Sequence, residues 1–255
     1  MIKKALVLSI ILSIALSANF AAANHSWGGY HWARSSNPFT LKLGDNVSST
    51  WDPYLATTSS DWSQSVVLDT TIVPGQGKTN CRATAGRVEV CNKTYGNTGW
   101  LGVAQIWVSG THITQGTVKV NDTYFSTPTY NTTAWRNLVM CQEVGHTFGL
   151  DHQDEIFNNP NLGTCMDYTN DPSTNQHPNQ HDYDELALIY AHVESTTTVK
   201  SSTLPKGSNV DSEDLASWGK EIRKDSRKHS SLFEHDLGGG HKVFTFVIWT
   251  DIGAF

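Results

Sequence analysis

Beyond its first two dozen residues, the sequence lacks an apolar run long enough to cross a bilayer, which needs about 20 residues. It also lacks a basic excess, since 18 Lys and Arg stand against 24 Asp and Glu, for a formal net charge of −6. Nucleic acid and anionic membrane surfaces attract clustered basic residues, and this mildly acidic chain has none that stand out. We therefore expect a protein that binds no nucleic acid and, once its N-terminal segment is removed, no membrane.

The N-terminal segment has the features of a secretory signal peptide. Lys3 and Lys4 give it a positive start, residues 5–18 are almost wholly apolar, and Ala21-Ala22-Ala23 offers a cleavage site of small residues. A retained N-terminal anchor is the alternative. We interpret residues 1–23 as a signal peptide and expect a secreted protein, extracellular or, in a Gram-negative bacterium, periplasmic.

The sequence also lacks a Cys-x-x-Cys pair, which argues against a thiolate zinc cluster. All four cysteines lie in the exported part of the chain, and an even number of cysteines in an oxidising compartment is typical of disulfides. Four cysteines allow three pairings. We favour Cys81–Cys91, which closes a short local loop, and this leaves Cys141–Cys165.

The distribution of apolar residues predicts an α+β domain over residues 24–194. Alternating or β-branched residues predict strands near residues 39–43, 66–73, 88–90, 100–108 and 117–125. Apolar residues at helical spacing then predict helices over 132–148 and 183–193, the second capped by Asp182 with Glu185. Strands that precede helices in this way are typical of an α+β arrangement.

Residues 195–255 have a different composition, and we interpret them as a linker followed by a C-terminal appendage. Ser and Thr dominate the linker, and the charged residues 212–228 suggest a helix. Residues 231–236 and 242–250 flank three glycines, which predicts a terminal hairpin. The last strand is apolar on both faces, so we expect another part of the protein to cover it.

The most informative stretch is residues 141–152, Cys-Gln-Glu-Val-Gly-His-Thr-Phe-Gly-Leu-Asp-His. Residues four apart on a helix lie on one face, so Gln142 and His146 point into one space. Glu143 is the next residue round the helix and reaches the edge of that space. This spacing predicts a helix that presents a carboxylate beside an imidazole.

Gly149 can end this helix with a positive φ, a conformation that strains other residues. The turn then lets His152 approach His146. Two imidazoles and one carboxylate brought together in this way form a plausible zinc site with a general base beside it.

This pattern resembles the motif of the metzincin peptidases, His-Glu-x-x-His-x-x-Gly-x-x-His, and matches it at Glu143, His146, Gly149 and His152. A second landmark follows at residues 165–168, Cys-Met-Asp-Tyr, which resembles the family's methionine turn. In the astacin and serralysin branches, a tyrosine two residues after that methionine can lie near the metal, and Tyr168 has this offset. The likeness covers roughly residues 39–193.

The resemblance implies a matrixin- or astacin-like fold: a mixed parallel and antiparallel sheet, an active-site helix, the methionine turn and a closing helix. It implies zinc as cofactor, with His146 and His152 as ligands. Glu143 would be the general base and Tyr168 a second donor to the oxyanion. An extended substrate would pair its backbone with an edge strand, either residues 100–108 or residues 117–125.

Gln142 departs from the family motif, because the family has a histidine ligand there. Three explanations stay open. Gln142 coordinates through its amide oxygen, a weaker and neutral donor; or another side chain completes the triad; or the site is inactive. The candidates for another ligand are Asp151, Asp154, His177 and His181.

The resulting hypothesis is a secreted, monomeric zinc metalloendopeptidase that hydrolyses peptide bonds in extracellular proteins or peptides. Its metal ligands are His146, His152 and Gln142, and its catalytic residues are Glu143 and Tyr168. The alternative is a catalytically impaired secreted binding protein that keeps the metzincin fold without the chemistry.

Overall fold

The structure is a computed structural model that describes residues 25–77, 80–201, 213–225 and 229–250. The predicted signal peptide and residues 202–212 of the predicted linker and appendage lie outside these ranges. Among the described residues, no helix is both long enough and apolar enough to span a membrane.

In the described part of the chain, nine strands form one mixed sheet. In chain order they are β1 (His31–Trp32), β2 (Phe39–Asn46), β3 (Leu68–Pro74), β4 (Val88–Lys93), β5 (Trp100–Ser109), β6 (His112–Asn121), β7 (Lys220–Lys224), β8 (Ser230–Gly238) and β9 (His241–Trp249). Across the sheet their order is β3-β2-β4-β6-β5-β9-β8-β7, and β1 pairs with the start of β6. The β2, β3, β4 and β6 strands pair in parallel, whereas β5, β7, β8 and β9 pair antiparallel with their neighbours.

The helices pack around this sheet and confirm the predicted α+β class. They are α1 (Asp52–Trp62), α2 (Asp122–Phe125), α3 (Thr133–His146) and α4 (Gln180–Ile189), with 3-10 turns at Pro172–Thr174 and Leu215–Trp218. α3 is buried along almost its whole length, between α1 and the strands β5 and β6. Its end lies over the middle of the sheet, which places the predicted site inside the domain.

At two helix starts the structure differs from the predictions because a polar side chain caps the helix. The strand predicted over 117–125 ends at Asn121, whose side chain accepts a hydrogen bond from the Thr123 amide and starts α2. The second long helix begins at Gln180 rather than near residue 183. Asn179 is its N-cap, and Asp182 is the reciprocal partner in the capping box.

The prediction of a helix over residues 212–228 is wrong for the part that is described. Residues 215–218 form a 3-10 turn and residues 220–224 form β7. Gly219 separates them with φ +86°, and a Cβ there would lie 2.3 Å from the Glu234 carbonyl oxygen on β8. The close approach of β8 therefore favours a strand over the helix that the charge pattern suggested.

Both predicted disulfides are confirmed. Cys81 pairs with Cys91 and Cys141 with Cys165, with Cα–Cα distances of 6.0 and 5.9 Å. The second bridge ties α3 to the turn that contains Met166. A loop of this length closed by a disulfide stabilises a fold by about 2–4 kcal/mol.

The predicted terminal hairpin is β8–β9, and it joins the main sheet at β5. β5 thus pairs with β6 on one side and β9 on the other, and β6 lies between β4 and β5. The expectation that one of these two strands has a free edge for substrate is therefore wrong. The strand that is apolar on both faces is β9, which lies along the edge of β5 and is buried there.

Candidate metal and catalytic site

Helix α3 supplies three of the predicted site residues: Gln142, Glu143 and His146. The helix starts where the Thr132 hydroxyl accepts a hydrogen bond from the Trp135 amide, at 3.2 Å. All three side chains are fully buried, each with about 1% of its surface exposed. Burying a polar side chain costs free energy unless hydrogen-bond partners or a function offset the desolvation.

A sharp bend follows α3 at Gly149, which has φ +97°. A Cβ at this position would lie 2.2 Å from the Tyr30 carbonyl oxygen, so the bend requires glycine for both conformation and space. It brings the His152 ring to 4.5 Å from the His146 ring, centroid to centroid, at 82°. The predicted convergence of the two imidazoles is therefore present in the fold.

Both imidazoles have their Nδ1 atoms turned toward oxygen. His146 Nδ1 lies 2.9 Å from the Leu150 carbonyl, which can only accept, so the proton of the neutral ring lies on Nδ1. His152 Nδ1 faces carboxylate oxygens of Asp151 and Glu155 at 3.5 and 3.6 Å. In the His146 ring this leaves the Nε2 lone pair for a cation, the arrangement by which outer partners orient metal-binding histidines.

Gln142 lies one turn before His146 on the same face of α3. Its Nε2 donates to the Cys165 carbonyl oxygen at 2.9 Å. That bond fixes the orientation of the amide, and Oε1 is then buried without a hydrogen-bond partner among the described residues. An unpaired buried acceptor of this kind fits a cation, and a single amide oxygen is a weak but usable ligand.

Glu143 lies against strand β5. A Cβ on Gly102 would lie 2.7 Å from Glu143 Oε1, so this glycine gives the carboxyl its room. Burial raises the pKa of Glu143 well above its usual range, and the hydrogen bond from the Ala104 backbone only partly opposes this. Its Oε2 has no hydrogen-bond partner in the described ranges. The carboxyl is therefore held as a neutral acid unless positive charge lies beside it.

The pKa of His146 also suits a metal site. Burial first, and then the nearby charge of His152, lower the pKa of His146 well below its usual range, so the ring is neutral and able to bind a metal at neutral pH. Two imidazoles, an amide oxygen and an adjacent carboxyl supply the nitrogen and oxygen donors that zinc accepts. These donors therefore fit zinc, although the Gln142 amide oxygen is a weaker ligand than a third histidine would be.

The turn at residues 165–168 underlies this site as predicted from the methionine turn. A Cβ on Gly145 would lie 2.6 Å from the Met166 sulfur, so Gly145 lets Met166 pack directly against α3. The Tyr168 ring lies 3.9 Å from the His152 ring. Burial raises the pKa of Tyr168 well above its usual range, so its hydroxyl stays a hydrogen-bond donor.

Comparisons with protein-family models and with curated proteins give no match. Among solved structures, the fold is similar to high choriolytic enzyme 1, a hatching-enzyme zinc protease from the medaka fish Oryzias latipes. The two share 11% sequence identity over 66% of this chain and 98% of that chain, with a TM-score of 0.37. A similarity this low carries no conclusion about the activity of the present chain.

The four alternative ligands have other partners. Asp151 pairs with Arg223, and Asp154 accepts hydrogen bonds from Ile156 and Asn159. His177 pairs with Asp61 and is half-exposed, and His181 stacks on His25. Asp151, Asp154 and His177 form hydrogen bonds or ion pairs in these contacts, whereas the Gln142 Oε1 and the His181 Nδ1 have no hydrogen-bond partner among the described residues.

The C-terminal segment, defined as residues 213–225 and 229–250, covers the site. Phe246 of β9 stacks on the His146 ring at 4.1 Å and 9°. Arg223 of β7 pairs with Asp151 and Glu155, and Ser230 of β8 hydrogen-bonds with the Tyr168 hydroxyl. The sequence carried one signal for this cover, the strand that is apolar on both faces.

The bend at Gly149 leads to a stability prediction. Gly149→Ala should lower the free energy of unfolding by about 1–2 kcal/mol for the left-handed backbone, and by about 1–3 kcal/mol more for the contact with the Tyr30 carbonyl. Gly163→Ala is the matched control, because Gly163 also has a positive φ, +73°, with nothing within 4 Å of its Cβ position. Urea unfolding of both variants measures the difference; equal losses would show that the Tyr30 contact does not matter.

Proposed function

We propose that this protein is a zinc-dependent peptidase. The observation that supports the proposal is the meeting of the His146 and His152 rings, whose centroids lie 4.5 Å apart, with Nδ1 of the buried His146 ring bonded to the Leu150 carbonyl. Beside them are the unpaired amide oxygen of Gln142 and the buried carboxyl of Glu143. This combination has a high desolvation cost, and it matches what metal-assisted hydrolysis needs.

His146, His152 and Gln142 would hold the zinc ion, which when bound would polarise the substrate carbonyl and lower the pKa of a bound water toward neutrality. Glu143 takes the proton of the attacking water and returns it to the leaving amine. Tyr168 keeps its phenolic proton and donates a hydrogen bond to the oxyanion. The buried surroundings exclude bulk water and strengthen these interactions.

Substrate access requires that β9 leaves the edge of β5. β9 pairs antiparallel along β5, with Ala104 opposite Phe246, and its aromatic side chain covers the His146 ring. An extended peptide that adds to the edge of a sheet would use the same backbone groups of β5. The C-terminal segment therefore occupies the position that the resemblance assigns to substrate, and the protein is latent as folded.

The double variant Arg223→Ala/Phe246→Ala tests the proposal in the full chain. Truncation of a buried phenylalanine costs about 3–5 kcal/mol, and each 1.4 kcal/mol is a factor of about ten in an equilibrium. We therefore expect at least about tenfold faster cleavage of an unfolded protein substrate than by wild type, fully inhibited by a zinc chelator and restored by zinc.

Phe233→Ala is the matched control for this variant. Phe233 lies on β8 of the same segment but packs against Trp218, away from His146. An equal gain in Phe233→Ala would mean that general loosening explains the effect. Absence of zinc-dependent cleavage in both wild type and the double variant would contradict the proposed activity.

A further inference from the structure

A second group of potential ligands lies outside the site described above. His31 of β1, His112 at the start of β6, and His192 and Glu194 after α4 meet at one place. They come from three parts of the chain that are far apart in sequence, and none of them takes part in the proposed hydrolysis. The fold already joins these parts, since the Glu194 amide donates to the Arg34 carbonyl.

The distances within this group match a metal site. His31 Nε2 lies 3.0 Å from Glu194 Oε1 and 3.3 Å from His192 Nε2, and His192 Nε2 lies 3.6 Å from the same oxygen. Ligand atoms around a tetrahedral zinc ion at about 2.0–2.1 Å are separated by roughly 3.3 Å. The three ligand atoms therefore have the spacing of three corners of a zinc tetrahedron without rearrangement.

The orientation of the His31 ring also suits a cation. His31 Nδ1 lies 2.7 Å from the Gly29 carbonyl, an acceptor only, so the proton of the neutral ring is there and Nε2 has a lone pair. That lone pair faces both a carboxylate oxygen and the Nε2 of His192. Lone pairs that face one another repel unless a positive centre lies between them; a proton on His31 supplies one between two of these atoms, and a metal ion supplies one for all three.

We propose that His31, His192 and Glu194 bind a zinc ion. Two imidazoles and one carboxylate are an established zinc ligand set. The His31 hydrogen bond to Gly29 orients the ring, as outer partners do at metal sites. His192 is half-exposed, so water can fill the fourth position.

His112 is a positioning residue in this site. Its Nε2 lies 2.7 Å from Glu194 Oε1, where it donates to the carboxylate that binds the metal. Such a partner contributes about 10–100-fold in metal affinity. The bound ion would tie the N-terminal strand β1 to the segment after α4, in addition to their backbone hydrogen bonds.

Zinc titration of the full chain, after removal of metal by chelator, tests this site. We expect His192→Gln and Glu194→Gln each to bind one zinc ion fewer than wild type, with affinity at this site reduced by more than about 100-fold, and His112→Gln to lose about 10–100-fold. His177→Gln is the matched control. The His177 and His192 side chains are both 54% exposed, and His177 pairs with a different carboxylate.

Unchanged zinc binding in both His192→Gln and Glu194→Gln, relative to His177→Gln, would overturn the second site. The variant His146→Ala separates this result from the proposed peptidase. If only His146→Ala loses zinc, the peptidase proposal stands and the second zinc site is refuted. If only His192→Gln loses zinc, the second zinc site stands and the peptidase proposal is refuted.

Discussion

Glu143→Gln should slow hydrolysis by about 10²–10⁴-fold and leave zinc in place, which is the largest loss of activity expected of a single substitution in this protein. The amide has the shape of the carboxyl and fits the room that Gly102 provides, but it cannot take a proton from water. General base catalysis contributes about 10²–10⁴-fold to the rate, so kcat should fall by that factor. The measurement is cleavage by the Arg223→Ala/Phe246→Ala protein with and without the additional substitution.

Glu185→Gln is the control for this experiment, because Glu185 is a buried glutamate on α4 that belongs to neither proposed site. It should leave kcat unchanged. Retention of activity within a factor of ten in Glu143→Gln would remove Glu143 from the mechanism. Loss of zinc together with activity would show that the residue acts as a ligand instead.

The same substitution has a second expected result in metal-free protein. Because burial raises the folded-state pKa of Glu143, the folded state binds its proton more tightly than the unfolded state does. Its contribution to stability is then fully present below the unfolded pKa of about 4.3 and is lost as the pH rises toward the folded pKa. Metal-free Glu143→Gln should therefore unfold at higher urea concentration than wild type at pH 7, and the difference should shrink at pH 4.

Gln142→His should raise zinc affinity at the site by more than about 100-fold, since a change of ligand exceeds the 10–100-fold effect of an outer partner. An imidazole is a stronger zinc donor than an amide oxygen. The Cys165 carbonyl that now accepts from the Gln142 amide can accept from the Nδ1 of the new ring and orient it. Competition with a chromogenic zinc chelator measures the change.

Asn137→His is the control for this gain, because it adds a histidine to α3 at a position whose side chain pairs with Gln176 instead. It should not change zinc affinity at the site. An unchanged affinity in Gln142→His would mean that position 142 does not face the metal, and the alternative ligands would then need to be tested in turn.

Local signals in the sequence were sufficient to predict that the His146 and His152 rings meet. The helical spacing from residue 132, the glycine at position 149 and the histidines on either side specify a helix, a bend and a meeting of two rings within 20 residues. The short loop between Cys81 and Cys91 likewise predicted one disulfide, and the two remaining cysteines then gave the other. These features depend on backbone geometry that nearby residues determine.

Contacts between distant parts of the chain could not be predicted in the same way. β9 pairs with β5 across about 140 residues, and its sequence indicated only that both faces need cover. His31 and Glu194 are 163 residues apart, and each is unremarkable in its own stretch of sequence. The helix predicted over 212–228 failed because the approach of β8 at Gly219, a tertiary contact, outweighed the local charge pattern.

The most direct test of the peptidase proposal is the zinc content of the full chain with the second proposed site removed. His192→Gln protein, dialysed against trace zinc, should retain one zinc ion per chain, and the additional substitution His146→Ala should remove it. If His192→Gln protein holds no zinc at saturating concentration, or if the ion stays bound after His146→Ala, then the two buried imidazoles do not form a metal centre and the proposed function is wrong.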